Sequence, residues 1–303
     1  IHYAGWPQPI EKLRRFCDEQ GLILVEDCAL ALFSETGGQP LGSFGDYAVF
    51  CLYKTLPVID GGLLVQNRDP FVELDNLPLR RIGWAFEIGQ AAQSWTERWR
   101  SRAPRLGAAI AVAKRGIGAL LTELNVERVP VGDVGFNTTQ ASFAMSSWSD
   151  HLLVRLECAA IRPQRRRNFT MLAEQLAASG IVPWLDLEPG VCPLFYPLLV
   201  KDKPAAGRAL RARGVMGTER GKEGDPLAAC HEGAGAQFLR RHVLELPIHQ
   251  DICEEQIRYI AQEVIDSRVA LEPTSRRLGQ EGGPRGIYAG QARNRDLPVA
   301  ASF

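Results

Sequence analysis

Two residues sit where a sequence of this kind could do chemistry. Asp27 follows the continuous apolar run Leu22-Ile23-Leu24-Val25, and Lys54 follows a second such run, Tyr47 to Tyr53. An acid and an amine at the carboxyl ends of buried strands stand where an open α/β sheet keeps its ligand groups. A lysine held away from water there has a lowered pKa and serves as nucleophile and base. The chain has only six lysines (Lys12, Lys54, Lys114, Lys201, Lys203 and Lys222), and Lys54 alone ends a strongly apolar strand. Pyridoxal phosphate asks for this pair: a lysine to hold its aldehyde as a Schiff base and an acid to keep the pyridine nitrogen protonated, plus donors for its phosphate. The plainer alternatives stay open at this point. Asp27 also suits a helix N-cap after a strand, and Lys54 suits a charge leaving a sheet into water.

The elements that must position these residues can be read from the pattern. Pro9 to Gln20 reads as a helix with Ile10, Leu13, Phe16 and Cys17 on one face and Gly21 as its stop. Leu22 to Val25 reads as a strand buried on both faces, as parallel strands are. Tyr47 to Tyr53 reads as the next buried strand, and Asp60-Gly61-Gly62 as a tight turn into Leu63-Leu64-Val65. Strands alternating with helical pieces predict an α/β sheet. The texture changes at about 80–131, where Trp95 and Trp99 lie among arginines and Ala108 to Leu121 is helical in composition. This reads as a helical insertion: a packed pair, or a cover, dimer contact or membrane-surface element. Ser142 to Ala178 reads as one long helix or two, interrupted at Pro163. Val191 to Val200 and Val243 to Leu246 read as strands of a smaller α+β unit, and Glu254 to Ile265 as a closing helix with Ile257, Ile260, Ala261 and Val264 inward. The predicted domains are 1–135, 136–268 and a disordered, Arg- and Gly-rich tail at 269–303.

Bulk numbers bound the class. The 303 residues are 46% hydrophobic and 23% charged, with 35 basic and 35 acidic side chains. A balanced charge gives no general attraction to nucleic acid. The apolar stretch Leu106 to Leu121 is broken by Lys114 and Arg115, so no transmembrane segment is expected. Seven scattered cysteines without a zinc pattern predict reduced thiols and a cytoplasmic protein, with no metal.

Four motifs in order carry a resemblance: Val25-Glu26-Asp27-Cys28-Ala29; Pro40-Leu41-Gly42-Ser43-Phe44-Gly45-Asp46; Phe50-Cys51-Leu52-Tyr53-Lys54-Thr55-Leu56-Pro57; and Asp60-Gly61-Gly62. They resemble the DegT/DnrJ/StrS family of sugar aminotransferases. Gly135-Phe136-Asn137, Arg165-Arg166-Arg167-Asn168 and Leu246-Pro247-Ile248-His249 extend the resemblance more weakly, over about 1–268. It implies the aspartate-aminotransferase fold (fold type I), with a mostly parallel α/β large domain, incomplete in this chain, and a smaller α+β domain. It implies pyridoxal 5'-phosphate as cofactor, a homodimer with shared active sites, and transfer of an amino group from an amino acid, commonly glutamate, to a nucleotide-linked keto-sugar in polysaccharide or secondary-metabolite biosynthesis.

Residue by residue, the resemblance implies that Asp27 pairs with the pyridinium nitrogen and Ala29 lies against one face of the ring. Lys54 forms the internal aldimine and shuttles the proton. Cys51 stands where the family has a phosphate-binding serine, and Asn137 matches an asparagine that reaches the phosphate of the neighbouring subunit. Two positions depart from the pattern. Leu30 replaces the Gln or His that hydrogen-bonds the cofactor's phenolic oxygen, and Cys51 is a poorer donor than serine. Family members also carry roughly a hundred residues before the point matching Ile1, about half an average domain, so an N-terminally truncated copy is expected. That portion holds the phosphate-cradling turn and the aromatic residue that stacks on the ring. A second reading is therefore a catalytically lapsed or truncated relative with a binding or regulatory role. A third, dehydration of the sugar, goes with histidine in place of the lysine, and Lys54 argues against it. The Arg162 to Arg167 cluster reads as a solvated helix face or a contact to a diphosphate. His249 reads as structural, Cys28 as core, and His2 carries no role.

Overall fold

A computed structural model describes residues 1–81, 142–219 and 234–271. The chain divides into two compact units, Ile1–Pro163 with Pro189–Leu194, and Gln164–Glu188 with Phe195–Phe303. Nearly all of the expected helical insertion, with Trp95, Trp99 and the Leu106–Leu121 stretch, lies outside the described residues, as does the tail beyond 271.

In the first unit, helix α1 (Ile10–Gln20) ends at Gly21, whose left-handed backbone (φ 64°) lets its N–H reach the carbonyls of Asp18 and Cys17. Ile10 and Cys17 are buried, but Leu13 and Phe16, expected on the same inward face, are exposed. Arg14 ties the helix to the sheet through Asp46 (2.8 Å).

The sheet has the order β1 (Val25–Asp27), β4 (Tyr47–Cys51), β5 (Gly62–Gln66), with the short hairpin β2 (Glu35–Thr36) and β3 (Gln39–Pro40) beside it. β1 runs parallel to β4 with Asp27 opposite Val49; β5 runs antiparallel to β4 with Gly62 opposite Cys51. The sheet is thus mixed. Side chains alternate across it. Ala48 is buried on one face, where Phe50 packs with Leu24 and Phe44 against Ile10, Cys28, Ala31 and Leu41. On the other face Val25, Val49 and Leu64 are 55%, 39% and 45% exposed.

This corrects the strand expected at Leu22 to Val25. Pairing begins only at Val25, and Leu22, Ile23 and Val25 are exposed. The run is apolar enough for a doubly covered strand, but among the described residues β1 is an edge strand with one covered face. The strand expected to run to Tyr53 stops at Cys51, and Leu52–Lys54 turn in a single 3-10 turn.

Gly61, at φ 119°, lets the chain turn into β5; a Cβ there would lie 2.5 Å from Met145 Sδ. Asp60 accepts from Ser146 N–H (3.1 Å) and Oγ–H (2.8 Å), and Ser146 caps helix α3 (Ser147–Leu153) through the Ser149 N–H. A short helix α2 (Val72–Asp75) precedes the bridge between Arg80 and Phe143. The helix break expected at Pro163 lies earlier, over 154–160. Pro163 is third in helix α4 (Ile161–Ala178), where the missing N–H has no intrahelical partner to lose.

In the second unit β6 (Tyr196–Leu199) and β7 (Val243–Leu246) pair antiparallel, and every residue of both is buried. They are accompanied by α5 (Lys203–Ala212), α6 (Ala234–His242) and α7 (Glu254–Ser267). The inward residues of α7 are Ile257, Ile260, Ala261 and Val264, as their spacing predicts. The strand expected over Val191–Val200 is only its second half. Val191 to Leu194 belong to the first unit, where Cys192 N–H donates to Ser34 Oγ (2.9 Å) and Leu194 N–H to Ala4 O (3.0 Å).

The arginine cluster is neither a bare solvated face nor an open anion site. Arg162 pairs with Glu35 (2.8 Å), buried Arg165 donates to Gln250 (2.9 Å), Arg166 to Glu188 O (2.8 Å), and Arg167 pairs with Glu254.

Candidate functional site

β1 and β4 leave the sheet at the same end, and the residues singled out in the first unit follow from that. Asp27 is the last residue of β1. By alternation its side chain shares the open face with Val25, and Glu26 turns to the covered face. The Asp27 carboxylate accepts the N–H of Ala29 at Oδ1 (3.0 Å), and Oδ2 has no partner among the described residues. This is an Asx turn, in which a short acidic side chain closes onto the backbone two residues on. Cys51, two residues past Val49 on β4, shares that face and that end. From strand spacing its Cα lies about 8 Å from that of Asp27. Both are half-buried, as are Ala29 and Leu30.

Lys54 closes the 3-10 turn after β4. The turn is pinned at its base: Leu52 N–H donates to Gly61 O (3.0 Å), and Thr55 and Leu56 N–H donate to Leu52 O (3.1 and 2.9 Å). Leu52, Thr55 and Leu56 are buried, and Lys54 between them is half-buried. Its ammonium has no hydrogen bond or ion pair among the described residues. Asn137 lies outside the described residues. His249 belongs to the second unit, beside Asp251 (3.6 Å).

Sequence reasoning missed the residues that hold β1. Glu26 is buried and accepts four hydrogen bonds: Phe44 N–H (2.8 Å) and Gly45 N–H (2.5 Å) at Oε1, Gly42 N–H (3.0 Å) and His2 Nε2–H (3.0 Å) at Oε2. His2 Nδ1 accepts the N–H of Gln8 (3.1 Å), so the ring proton is on Nε2 and the imidazole is neutral. Burial pushes the Glu26 carboxyl up, but the bonds from His2 and from the Gly45, Gly42 and Phe44 amides hold it below the usual glutamate value. The His2 N–H also donates to Asp27 O (2.9 Å), and Cys28 N–H to Val49 O (2.9 Å). The available signal was the Gly42-Ser43-Phe44-Gly45 stretch. A loop with two glycines can turn successive N–H groups toward one anion.

His2, Glu26 and Cys28 bring ligand atoms within 4.8 Å of one another. They form a hydrogen-bonded core rather than a cation site. Both imidazole nitrogens are engaged, and burial, with the Glu26 and Asp27 charges, pushes the Cys28 thiol up to about 12.

Comparison with known proteins now bears on this geometry. The model of the DegT/DnrJ/EryC1/StrS aminotransferase family matches residues 1–115. GDP-perosamine synthase of Vibrio cholerae is 39% identical over 75 residues, 24% of this chain and 20% of that protein. The dTDP-4-dehydro-2,3,6-trideoxy-D-glucose 4-aminotransferase of Saccharopolyspora spinosa is 42% identical over 65 residues, 21% and 17% of the two chains. The matched stretches span about a fifth of the length of these curated relatives. The solved structure of the aminotransferase TlmJ from Streptoalloteichus hindustanus superposes with a TM-score of 0.55 at 23% identity, covering 88% of this chain and 64% of that one. A likeness at that identity establishes the fold, which is the α/β fold type I of these aminotransferases. Over residues 1–115 the sequence is similar to the DegT/DnrJ/EryC1/StrS aminotransferase family, and the fold is similar to that of a solved aminotransferase.

Proposed function

We propose that the protein is a pyridoxal-phosphate-dependent aminotransferase that moves an amino group from an amino acid, glutamate, to a keto-sugar carried on a nucleotide. The observation that carries this reading is that two groups stand at or just past the carboxyl ends of the parallel strands β1 and β4. Asp27 keeps Oδ2 without a partner, and the half-buried Lys54 amine has none among the described residues. One relative named as a dTDP-sugar 4-aminotransferase and another named as a GDP-perosamine synthase support the substrate class.

The residues present fit the ring and aldehyde ends of the cofactor. When bound, the cofactor supplies an electron sink for the carbon beside the transferred nitrogen. Asp27 Oδ2 would accept the N–H of the ring nitrogen and keep it protonated, and Ala29 would offer a small contact to the ring. Lys54 Nζ would hold the cofactor at its aldehyde, and its amine is the group that would move a proton there. Cys51 offers its thiol to the phosphate, a weaker donor than a hydroxyl. Asn137, outside the described residues, carries its role on the family resemblance alone: it would serve the phosphate of the neighbouring subunit in a homodimer. The enzyme works in the cytoplasm; no helix among the described residues is long and apolar enough to cross a membrane.

Leu30 and Cys51 favour a second reading, a catalytically lapsed relative that keeps the fold for binding or regulation. An absorbance scan of the purified protein separates the two. The enzyme gives a band in the region of a lysine-bound cofactor, abolished by Lys54→Ala. A protein that stays colourless with added pyridoxal phosphate supports the lapsed relative.

A further inference from the structure

We propose that His2 and Glu26 are positioning residues for Asp27, setting cofactor affinity through it without touching the cofactor. The proposal rests on the reading of Asp27 as the partner of the ring nitrogen.

Three sets of contacts carry it. Glu26, immediately before Asp27, is held on the covered face by three converging backbone N–H groups of the 42–45 loop and by the His2 imidazole. Asp27 itself is held at its carbonyl by the His2 N–H (2.9 Å), while Cys28, immediately after, is held at its N–H by Val49 O (2.9 Å). His2 therefore acts twice, once by side chain on Glu26 and once by backbone on Asp27. The far side of its ring is fixed by the Gln8 N–H (3.1 Å). The peptide plane between Asp27 and Cys28 is thus tied down at both its carbonyl and its N–H, and the Ala29 N–H occupies Oδ1. The carboxylate is held at Oδ1 and keeps Oδ2 without a partner among the described residues. A ring nitrogen meeting a preset acceptor avoids the ordering cost that a mobile aspartate imposes. Cys28, with a thiol at about 12, takes no part in ionic chemistry there.

The test is a double-mutant cycle on the full chain, with pyridoxal phosphate affinity measured by equilibrium dialysis. His2→Phe and Glu26→Gln are each made with Asp27 intact and with Asp27→Asn. With Asp27 intact each should weaken affinity about 10-fold, the worth of a charge-assisted hydrogen bond. In the Asp27→Asn background neither should weaken it further. His2→Gln, which keeps an N–H for Glu26 and spares the fold, should recover most of the His2→Phe loss. Without cofactor, hydrogen exchange at the Gly42, Phe44 and Gly45 amides should speed up in Glu26→Gln, and less in His2→Gln than in His2→Phe. Equal losses in both backgrounds mark a merely structural role and overturn the positioning proposal alone. An Asp27→Asn protein that binds as tightly as the unsubstituted one overturns the cofactor reading, and this proposal with it.

Discussion

Replacing Glu26 by glutamine keeps the side chain's shape, removes its charge and turns one acceptor oxygen into a donor. If the remaining oxygen stays with Phe44 and Gly45, the new amide faces the Gly42 N–H and the His2 Nε2–H, both within 3.0 Å of the oxygen it replaces. His2 cannot answer by moving its proton to Nδ1, because that nitrogen already accepts from Gln8. Two buried donors are stranded, each costing about 1–3 kcal/mol. Together they predict a loss of about 2–6 kcal/mol. The pH dependence has a definite sign. Glu26 titrates below its ordinary value in the folded protein, so its contribution is complete above the unfolded-state pKa of about 4.3. It is lost as the pH falls through the lower, folded-state value. The assay is native-state hydrogen exchange at residues 42–45, with urea unfolding at pH 7 and at descending pH. The difference between the two proteins should be full at pH 7 and shrink in acid. A loss under about 1 kcal/mol at pH 7, or a difference that grows on acidification, would refute the four-donor account of Glu26.

Gly42→Ala puts a Cβ 2.4 Å from Phe50 Cζ at a φ of 91°, and should lower stability by about 1–3 kcal/mol in thermal melts. Cys28 should resist alkylation at about pH 8 while exposed Cys253 reacts, read by mass spectrometry; equal labelling rates would contradict the burial of Cys28. Ser146→Ala removes the cap on α3 and a bond to Asp60, and should cost about 1–2 kcal/mol in urea unfolding. Arg162→Gln breaks a pair with Glu35 that is one-third exposed at each end, and the same assay should register less than about 1 kcal/mol.

What could be read from the sequence was what local pattern encodes. α7 agrees with its spacing because it has one covered face and short-range punctuation, Cys253 and Gln256 at its start, and β7 agrees because all of its residues are buried, as a short and largely apolar run predicts. Leu22 to Val25 was misread because an apolar run states how well a segment tolerates burial, not whether anything covers it. The Tyr47 to Tyr53 run was read too long for a related reason. Leu52 is apolar because it packs in a second core with Leu56, Val58 and Ile161, and it leaves the ladder to do so. Asp27 and Lys54 were legible as polar residues closing apolar runs. Glu26 and His2 were not, because their meaning lies in contacts across 16 to 24 residues of chain.

That long-range contact explains why a fully buried carboxylate stands next to the proposed cofactor acid. Burying Glu26 costs several kcal/mol of hydration, offset by the four donors that converge on it. Its use is in deciding which face β1 turns where. A one-residue slip of a strand exchanges its two faces. It would put Asp27 against the 42–45 amides and Glu26 on the open face. Aspartate, one methylene shorter, cannot span to Gly42, Phe44, Gly45 and His2 together, and two adjacent acids would otherwise be nearly interchangeable in an edge strand. The loop amides read side-chain length, and the residue they accept fixes its neighbour outward. Glu26→Leu, which strands all four donors where Glu26→Gln strands two, should therefore lose more thermal stability than Glu26→Gln and should bind pyridoxal phosphate more weakly than the unsubstituted protein. If Glu26→Leu matches the unsubstituted protein in affinity, the carboxylate is not what orients Asp27.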